Sequence, residues 1–141
     1  MKCPLVPVDG SPDASRALAH AVAELRDRPE AQLHLLNVQR PPIHPWPGKW
    51  VPPDTLEKEL RSVGEKIVQA AQTAVRESGL RCTGHVRIGQ AAHEIAACAG
   101  EEHCDAIVMG TRGLGRVAGL VLGSVATQVV HLATVPVTLV K

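Results

Sequence analysis

The chain has 141 residues, of which 45% are hydrophobic and only two, both tryptophan, are aromatic, and its formal net charge is +1. This length predicts one domain over residues 1–141, and the near-zero charge with so few rings argues against a nucleic-acid-binding surface. The apolar runs are too short for a membrane span of about 20 residues, and the N-terminus is interrupted too early for a secretory signal. We therefore expect a cytoplasmic protein without a membrane contact.

The first third of the chain predicts a strand, a helix and a second strand. Residues 3–8 are apolar and predict a buried strand, although Pro4 and Pro7 weaken this prediction because proline cannot donate to a sheet. Ser11, followed directly by proline, predicts a capped helix start. Gln32–Gln39 predicts the next strand.

A proline-rich segment follows. Residues 40–53 hold six of the eleven prolines and both tryptophans, Trp46 and Trp50. Such a run excludes a regular helix or a sheet ladder, so it predicts a surface loop. This loop is either a lid or a contact for an unknown protein partner, or it is a solvated connector.

The remaining segments continue the alternation of helices and strands. An amphipathic stripe predicts a long helix over residues 54–79, closed by Gly79. The elements predicted after it are a strand at Arg81–Ile88, a helix at 91–102, a strand at 105–109, a helix at 124–133 and a strand at 135–140. This alternation predicts an α/β fold, a single open, doubly wound, Rossmann-like parallel sheet of five strands with helices on both faces.

The cysteines and histidines form no recognised metal motif in the sequence. Neither a CxxC pair, a zinc-finger spacing nor an HExxH pattern is present. We interpret the seven histidines as surface or structural residues. The four cysteines are interpreted as buried or free thiols in a reducing compartment, and they are Cys3, Cys82, Cys98 and Cys104.

A glycine-rich stretch joins the fourth strand to the last helix. Gly110, Gly113 and Gly123 leave room for the backbone to approach phosphate oxygens. The helix that begins at Ser124 offers unpaired N–H groups and a positive dipole end, and the Ser124 hydroxyl either caps this helix or donates to a phosphate. The pattern predicts an anion site, and its alternative is a turn used only for tight packing.

Charged residues lie within this stretch and at the end of the first strand. Arg112 and Arg116 add positive charge beside the predicted anion, and Asp9 stands at the end of the first strand. Neither GxxxxGK[ST] nor a GxGxxG after the first strand is present, which excludes those two phosphate-binding motifs. The Asp9 carboxylate can accept hydrogen bonds from an adenine amino group or a ribose hydroxyl, and a turn or capping role is the alternative.

Four segments in order, 5–11, 33–38, 89–95 and 105–113 with 123–125, resemble the universal stress protein family. The last of them carries the nucleotide signature of that family, which is a glycine, two residues, a glycine, nine residues, then a glycine and a serine or threonine. This chain matches the signature in full.

The resemblance implies a sheet in the strand order 3-2-1-4-5 and a homodimer joined through the last strand, residues 135–140. It also implies an ATP site in which Asp9 holds the adenine or ribose and Val38 lines the base pocket. With the glycine-rich stretch, the expected nucleotide-binding residues are Pro7, Val8, Asp9, Val38, Met109, Gly110, Arg112, Gly113, Gly123, Ser124 and Val125.

The favoured function is an ATP-binding universal stress protein, a stress-response or regulatory homodimer with little or no turnover, because no carboxylate pair flanks the glycines. ADP and AMP are alternatives to ATP, and Mg or Mn would be held largely by phosphates and water. No catalytic residue and no protein metal ligand is assigned. Two other hypotheses stay open: a slow ATPase or nucleotide-dependent transferase, and a nucleotide-independent interaction module that uses the Trp46 and Trp50 loop.

Overall fold

The computed structural model describes residues 1–42, 51–113 and 122–141. It contains a parallel five-stranded sheet in the order β3-β2-β1-β4-β5, as predicted. The elements along the chain are β1 Pro4–Pro7, α1 Pro12–Leu25, β2 Gln32–Gln39, α2 Pro53–Glu77, β3 Arg81–Ile88, α3 Ala91–Glu101, β4 Ala106–Gly110, α4 Ser124–Leu132 and β5 Val137–Val140.

The central strand β1 accommodates two prolines because they stand at its two ends. Outside the strand, the N–H of Cys3 donates to Asp105 Oδ1 at 3.1 Å, and the N–H of Val8 donates to the Leu36 carbonyl at 2.8 Å. The hydrogen bonds that proline cannot make are therefore lost only at the strand ends, where they cost least. The observed strand is shorter than the predicted one by one residue at each end.

The helix boundaries follow the capping signals, with small differences from the prediction. Ser11 caps α1 by accepting the Ala14 N–H at 3.1 Å, as expected. The long helix α2 begins at Pro53, one residue earlier than predicted, because proline suits a first helical position. Its exit passes through Gly79, whose φ of +82° is the left-handed conformation that ends many helices.

Alternation along the strands divides the core into two aliphatic layers. On β2, Leu33 and Leu35 face a layer that also holds α1 and α2, whereas Leu36 faces the layer of α3 and α4. Leu33, Leu35 and Leu36 are all 0% exposed, so the sheet is covered on both faces. This arrangement confirms the doubly wound α/β prediction and explains why the central strands β1 and β4 are continuous apolar runs.

Two parts of the prediction fall outside the described residues. Residues 43–50, which include Trp46 and Trp50, and residues 114–121, which include Arg116, are not described. No helix in the described ranges is long and apolar enough to cross a membrane.

Candidate functional site

A cavity of about 530 Å³ opens at the carboxyl ends of β1 and β4. The chain leaves β1 for α1 on one face of the sheet and leaves β4 for α4 on the other face, so the two connections diverge at this point. Ligands of open α/β sheets bind in such a crevice. All eleven residues predicted to bind a nucleotide line this one cavity.

The turn after β1 places Asp9 at the rim of the cavity. Asp9 Oδ1 accepts the Ser11 N–H at 2.9 Å across Gly10, whose φ is +83°. The turn role considered for Asp9 is therefore present in the structure. A carboxylate has about four acceptor positions, so this bond leaves capacity for a further donor.

The carbonyl of Val8 is held by a buried side chain from the neighbouring strand. Asn37, which is 2% exposed, donates from Nδ2 to the Val8 carbonyl at 2.8 Å. Gln39 in turn donates from Nε2 to Asn37 Oδ1 at 2.7 Å. This chain of hydrogen bonds fixes the backbone that leads into Asp9.

The glycines of the signature stand where the chain approaches itself closely. A Cβ atom at Gly110 would lie 2.9 Å from the backbone of Asp13, and one at Gly113 would lie 2.7 Å from Asp9 Oδ2. At Gly123 a Cβ would lie 3.2 Å from the Thr111 carbonyl oxygen. Each glycine thus has a packing reason within the protein itself, which is the alternative that the sequence left open. The same close approaches shape the cavity wall.

Helix α4 begins at Ser124 as predicted, but Ser124 does not cap it. Gly123, with φ −73° and ψ 164°, is the N-cap residue, and its N–H donates to the Thr111 carbonyl at 2.6 Å. Of the two roles considered for Ser124, the capping role is wrong, because Ser124 is already the first helical residue and is exposed. The first intrahelical bond runs from Thr127 to Gly123 at 3.0 Å, so the N–H groups of residues 124–126 have no acceptor within the helix.

Arg112 lies at the cavity but shares its charge with α1. Its Nε is 3.5 Å from Asp13 Oδ2, and Asp13, which is 1% exposed, also pairs with Arg16. The sequence predicted a positive charge directed at an anion. The structure instead gives Arg112 a carboxylate partner, which lowers the net positive charge that it brings to the cavity.

Sequence reasoning missed part of the apolar lining. Leu36 and Ile95 line the cavity beside the predicted Val38 and Met109. Leu36 was accessible from the sequence, because it lies two positions from Val38 and hence on the same face of a strand. Ile95 comes from α3, and its contribution depends on how that helix packs on the sheet. The other lining residues that were missed are Ser11, Ala14, Ala91, Thr111 and Ala126.

The family model and the curated relatives that match this chain agree on one family. The family model described as "Universal stress protein family" matches residues 4–141. A universal stress protein of Bacillus subtilis is 33% identical over 144 residues, which cover 97% of each chain.

Solved structures share the fold of the chain. The universal stress protein of Archaeoglobus fulgidus in complex with dAMP has a TM-score of 0.73 at 24% identity, covering 100% of this chain and 98% of the other. A universal stress protein family protein of Arabidopsis thaliana with AMP bound has a TM-score of 0.73 at 19% identity, covering 100% and 92%.

Proposed function

Because this chain belongs to the universal stress protein family, we propose that its cavity between β1 and β4 binds an adenine nucleotide, preferentially ATP. In this proposal the protein is a stress-response or regulatory homodimer that holds the nucleotide with little or no turnover. The observation that carries it is the convergence of the whole glycine signature, Asp9 and an apolar wall on one cavity. The AMP and dAMP complexes of the two proteins of the same fold support the choice of an adenine nucleotide.

The apolar wall suits a planar base. Ile95 and Met109 are only 3% and 6% exposed and pack in one cluster with the fully buried Leu36, so the wall is fixed rather than mobile. Ligand sites combine such walls with a few polar groups that set orientation. Asp9 supplies a polar group at the rim, where it can accept from the adenine amino group or a ribose hydroxyl.

The opposite side of the cavity suits phosphates. The N–H groups at the start of α4 have no acceptor within the helix, and together with the positive end of the helix dipole they favour an anion. The cavity volume of about 530 Å³ lies within the range of roughly 300–1,000 Å³ that small-molecule sites occupy. Because Arg112 is paired with Asp13, backbone amides supply most of the attraction in this proposal.

The lining side chains offer little chemistry for hydrolysis. Asp9 is the one carboxylate among the described residues that line the cavity, and its Oδ1 already accepts the Ser11 N–H. A divalent ion such as Mg or Mn would therefore be held by phosphate oxygens and water, with at most one protein carboxylate. We expect bound ATP to stay intact over hours.

Calorimetric titration with ATP, ADP, AMP and GTP tests the binding. We expect one adenine nucleotide per chain and weaker binding of GTP. Gly113→Ala should weaken ATP binding by about tenfold or more, because the new methyl group would displace the Asp9 carboxylate. The matched control is Gly100→Ala, whose Cβ would meet no heavy atom within 4 Å.

Two results would overturn the ATP proposal. One is the absence of any heat of binding from a correctly folded protein that is free of nucleotide after purification. The other is an ATP affinity that is the same in Gly113→Ala and Gly100→Ala. Steady phosphate release that is lost in Gly113→Ala would favour the slow ATPase instead. Partner binding indifferent to nucleotide but lost in Trp46→Ala would favour the interaction module.

The homodimer is proposed to form through β5. This strand pairs with β4 on one side, and no other described strand pairs with it. The hydrogen bonds from Ile107 to Pro136 and from Thr111 to Val140 show that even-numbered residues bond to β4. The N–H groups of Val137 and Leu139 therefore point to the open edge, where a second copy can pair.

Light scattering tests this interface. Val137→Pro removes an edge N–H at the first position of the strand, where proline is tolerated, so we expect a monomer. Val137→Thr keeps the N–H and should remain a dimer. A monomeric unmodified protein at micromolar concentration, or a Val137→Pro dimer as stable as the unmodified one, would contradict this interface.

A cytoplasmic location is also part of the proposal. It is supported by the four cysteines, all of which are free thiols in the structure.

A further inference from the structure

A second cluster of chemically active side chains lies at the amino end of the sheet, on the face covered by α3 and α4. Cys3 precedes β1 and Cys104 lies just before β4, and these strands pair with Pro4 opposite Ala106. Cys3 is further tied to this corner because the N–H of Asp105 donates to its carbonyl at 3.0 Å. His34, on β2, stands opposite Leu5 of β1. Three residues that are distant in the sequence thus meet at one corner.

The ligand atoms of these residues are close together. Cys3 Sγ, Cys104 Sγ and a ring nitrogen of His34 all lie within 4.8 Å of one another. In a tetrahedral site with bonds of about 2.0–2.3 Å, ligand atoms are roughly 3.5 Å apart. The side chains therefore need to shift by only about 1 Å to share one ion. Two thiols and an imidazole are the donor set that zinc and Cu(I) prefer.

We propose that Cys3, His34 and Cys104 form a binding site for a thiophilic metal ion, with zinc as the physiological candidate. Nothing in the nucleotide-binding proposal requires this site, and the two stand or fall separately. On binding, the two thiol protons pass to the solvent and two thiolates balance the charge of the divalent ion. The half-buried Cys3 gives the ion a path from solvent to a site whose other two ligands are buried.

A neighbouring histidine holds the His34 ring in place. His34 Nδ1 and His85 Nε2 are 2.9 Å apart, and the two rings stack with centroids 5.2 Å apart. When Nδ1 is the atom engaged with His85, Nε2 of His34 is left for the metal. Metal-ligating histidines regularly use the other ring nitrogen in this way, which fixes their orientation.

The fourth ligand can come from the end of α3. A Glu102 carboxylate oxygen lies within 4.8 Å of ring nitrogens of both His34 and His85. Burial is the main cause that raises the pKa of Cys3 and Cys104, and the charge of the nearby Glu102 raises it further. Glu102 or a water molecule would complete a four-coordinate site.

Burial shifts the pKa of both buried side chains in the cluster. Burial and the charge of His85 lower the pKa of His34, which favours the neutral ring. Burial, with Cys3 nearby, raises the pKa of Cys104 to about 12, so the thiol carries no charge without a metal.

Competition titration with a zinc-binding dye tests the proposal, using reduced protein freed of metal. We expect one zinc ion per chain. Loss of a residue that only supports a metal ligand lowers metal affinity by roughly 10–100-fold. Because Cys3 and Cys104 are proposed as ligands themselves, Cys3→Ser and Cys104→Ser should each weaken zinc binding by more than this. The matched control is Cys82→Ser, because Cys82 is half-buried like Cys3 but packs on the opposite face of the sheet.

Substitution by cobalt gives a second readout. Co²⁺ bound by two thiolates in a tetrahedral site absorbs visible and near-ultraviolet light, and these bands should disappear in Cys3→Ser. Cys3 is less buried than Cys104, so the Cys3→Ser variant is expected to fold even if Cys104→Ser does not, and circular dichroism checks this.

Three outcomes would overturn the metal site. The first is reduced, folded protein that binds no zinc at micromolar concentration. The second is zinc binding that is equal in Cys3→Ser and in Cys82→Ser. The third is a Cys3–Cys104 disulfide that survives a reducing buffer, seen as a 2 Da mass loss, because those sulfurs would then serve as a redox pair.

Discussion

On the face of the sheet that α3 covers, the cavity at the carboxyl end and the cluster of Cys3, His34 and Cys104 at the amino end are made of different chemical groups. At the carboxyl end, the cavity is shaped by glycines and backbone amides. A Cβ atom at Gly110 would lie 2.9 Å from the Asp13 backbone, and one at Gly123 would lie 3.2 Å from the Thr111 carbonyl oxygen. At the amino end, the cluster is made of side chains, namely two thiols and an imidazole. A site made from backbone is damaged by adding atoms, whereas a site made from side chains is damaged by removing them.

The largest expected effect is at the carboxyl end. Gly110→Ala should lower the free energy of unfolding by about 1–3 kcal/mol, because its methyl group would meet the Asp13 backbone, which cannot rotate away. Urea denaturation measures this change. Gly100→Ala, in the open last turn of α3, should instead be neutral or stabilising by up to about 1 kcal/mol. Equal stability of the two variants would mean that the carboxyl end is less tightly built than the structure indicates.

The next effect concerns the side-chain site. His85→Ala keeps the three proposed ligands but removes the partner of His34 Nδ1, so zinc affinity should fall by roughly 10–100-fold. The dye competition assay measures it. His93→Ala is the control, since His93 bonds to Gln90 at the other end of α3 and should leave zinc affinity unchanged. A His85→Ala variant with full zinc affinity would show that His34 is oriented by other contacts.

The comparison also explains how much the sequence could predict. The anion site after β4 was predicted because its signals lie on consecutive residues: a strand, then glycines, then a helix start. The strand order, in contrast, was predicted from the family resemblance. The start of α4 at Ser124 was predicted correctly, but the capping role of Ser124 was wrong because the cap residue is the preceding Gly123, which has no capping side chain. The partner of Arg112 was missed because Asp13 comes from another helix. Likewise, no spacing rule joins Cys3, His34 and Cys104, which only the strand pairing brings together.

A smaller effect separates the stability of α4 from its proposed function. Ser124→Glu places a carboxylate in the first turn, where it should stabilise the helix by about 0.3–1 kcal/mol. The same charge should repel phosphates and weaken ATP binding by about tenfold, or roughly 1.4 kcal/mol. Thermal unfolding and calorimetry measure the two quantities. Ser124→Gln is the uncharged control, and a Glu variant that keeps full ATP affinity would argue against phosphates at this helix end.

The smallest expected effect is the coupling between the two ends. Saturating zinc should change the ATP dissociation constant by less than about threefold, which corresponds to less than about 0.7 kcal/mol. β4 alone, from Ala106 to Gly110, spans roughly 13 Å between the two ends, so the ligand groups of one site do not contact those of the other. Binding also exchanges two thiol protons for one divalent ion, so the net charge at the amino end does not change. Repeating the ATP titration with and without zinc measures the coupling.

A larger factor would identify α3 as the connecting element, because it contributes Ile95 to the cavity and is followed directly by Glu102 at the cluster. A shift of this one helix would then reach both sites, whereas a rigid sheet between them keeps their binding energies independent.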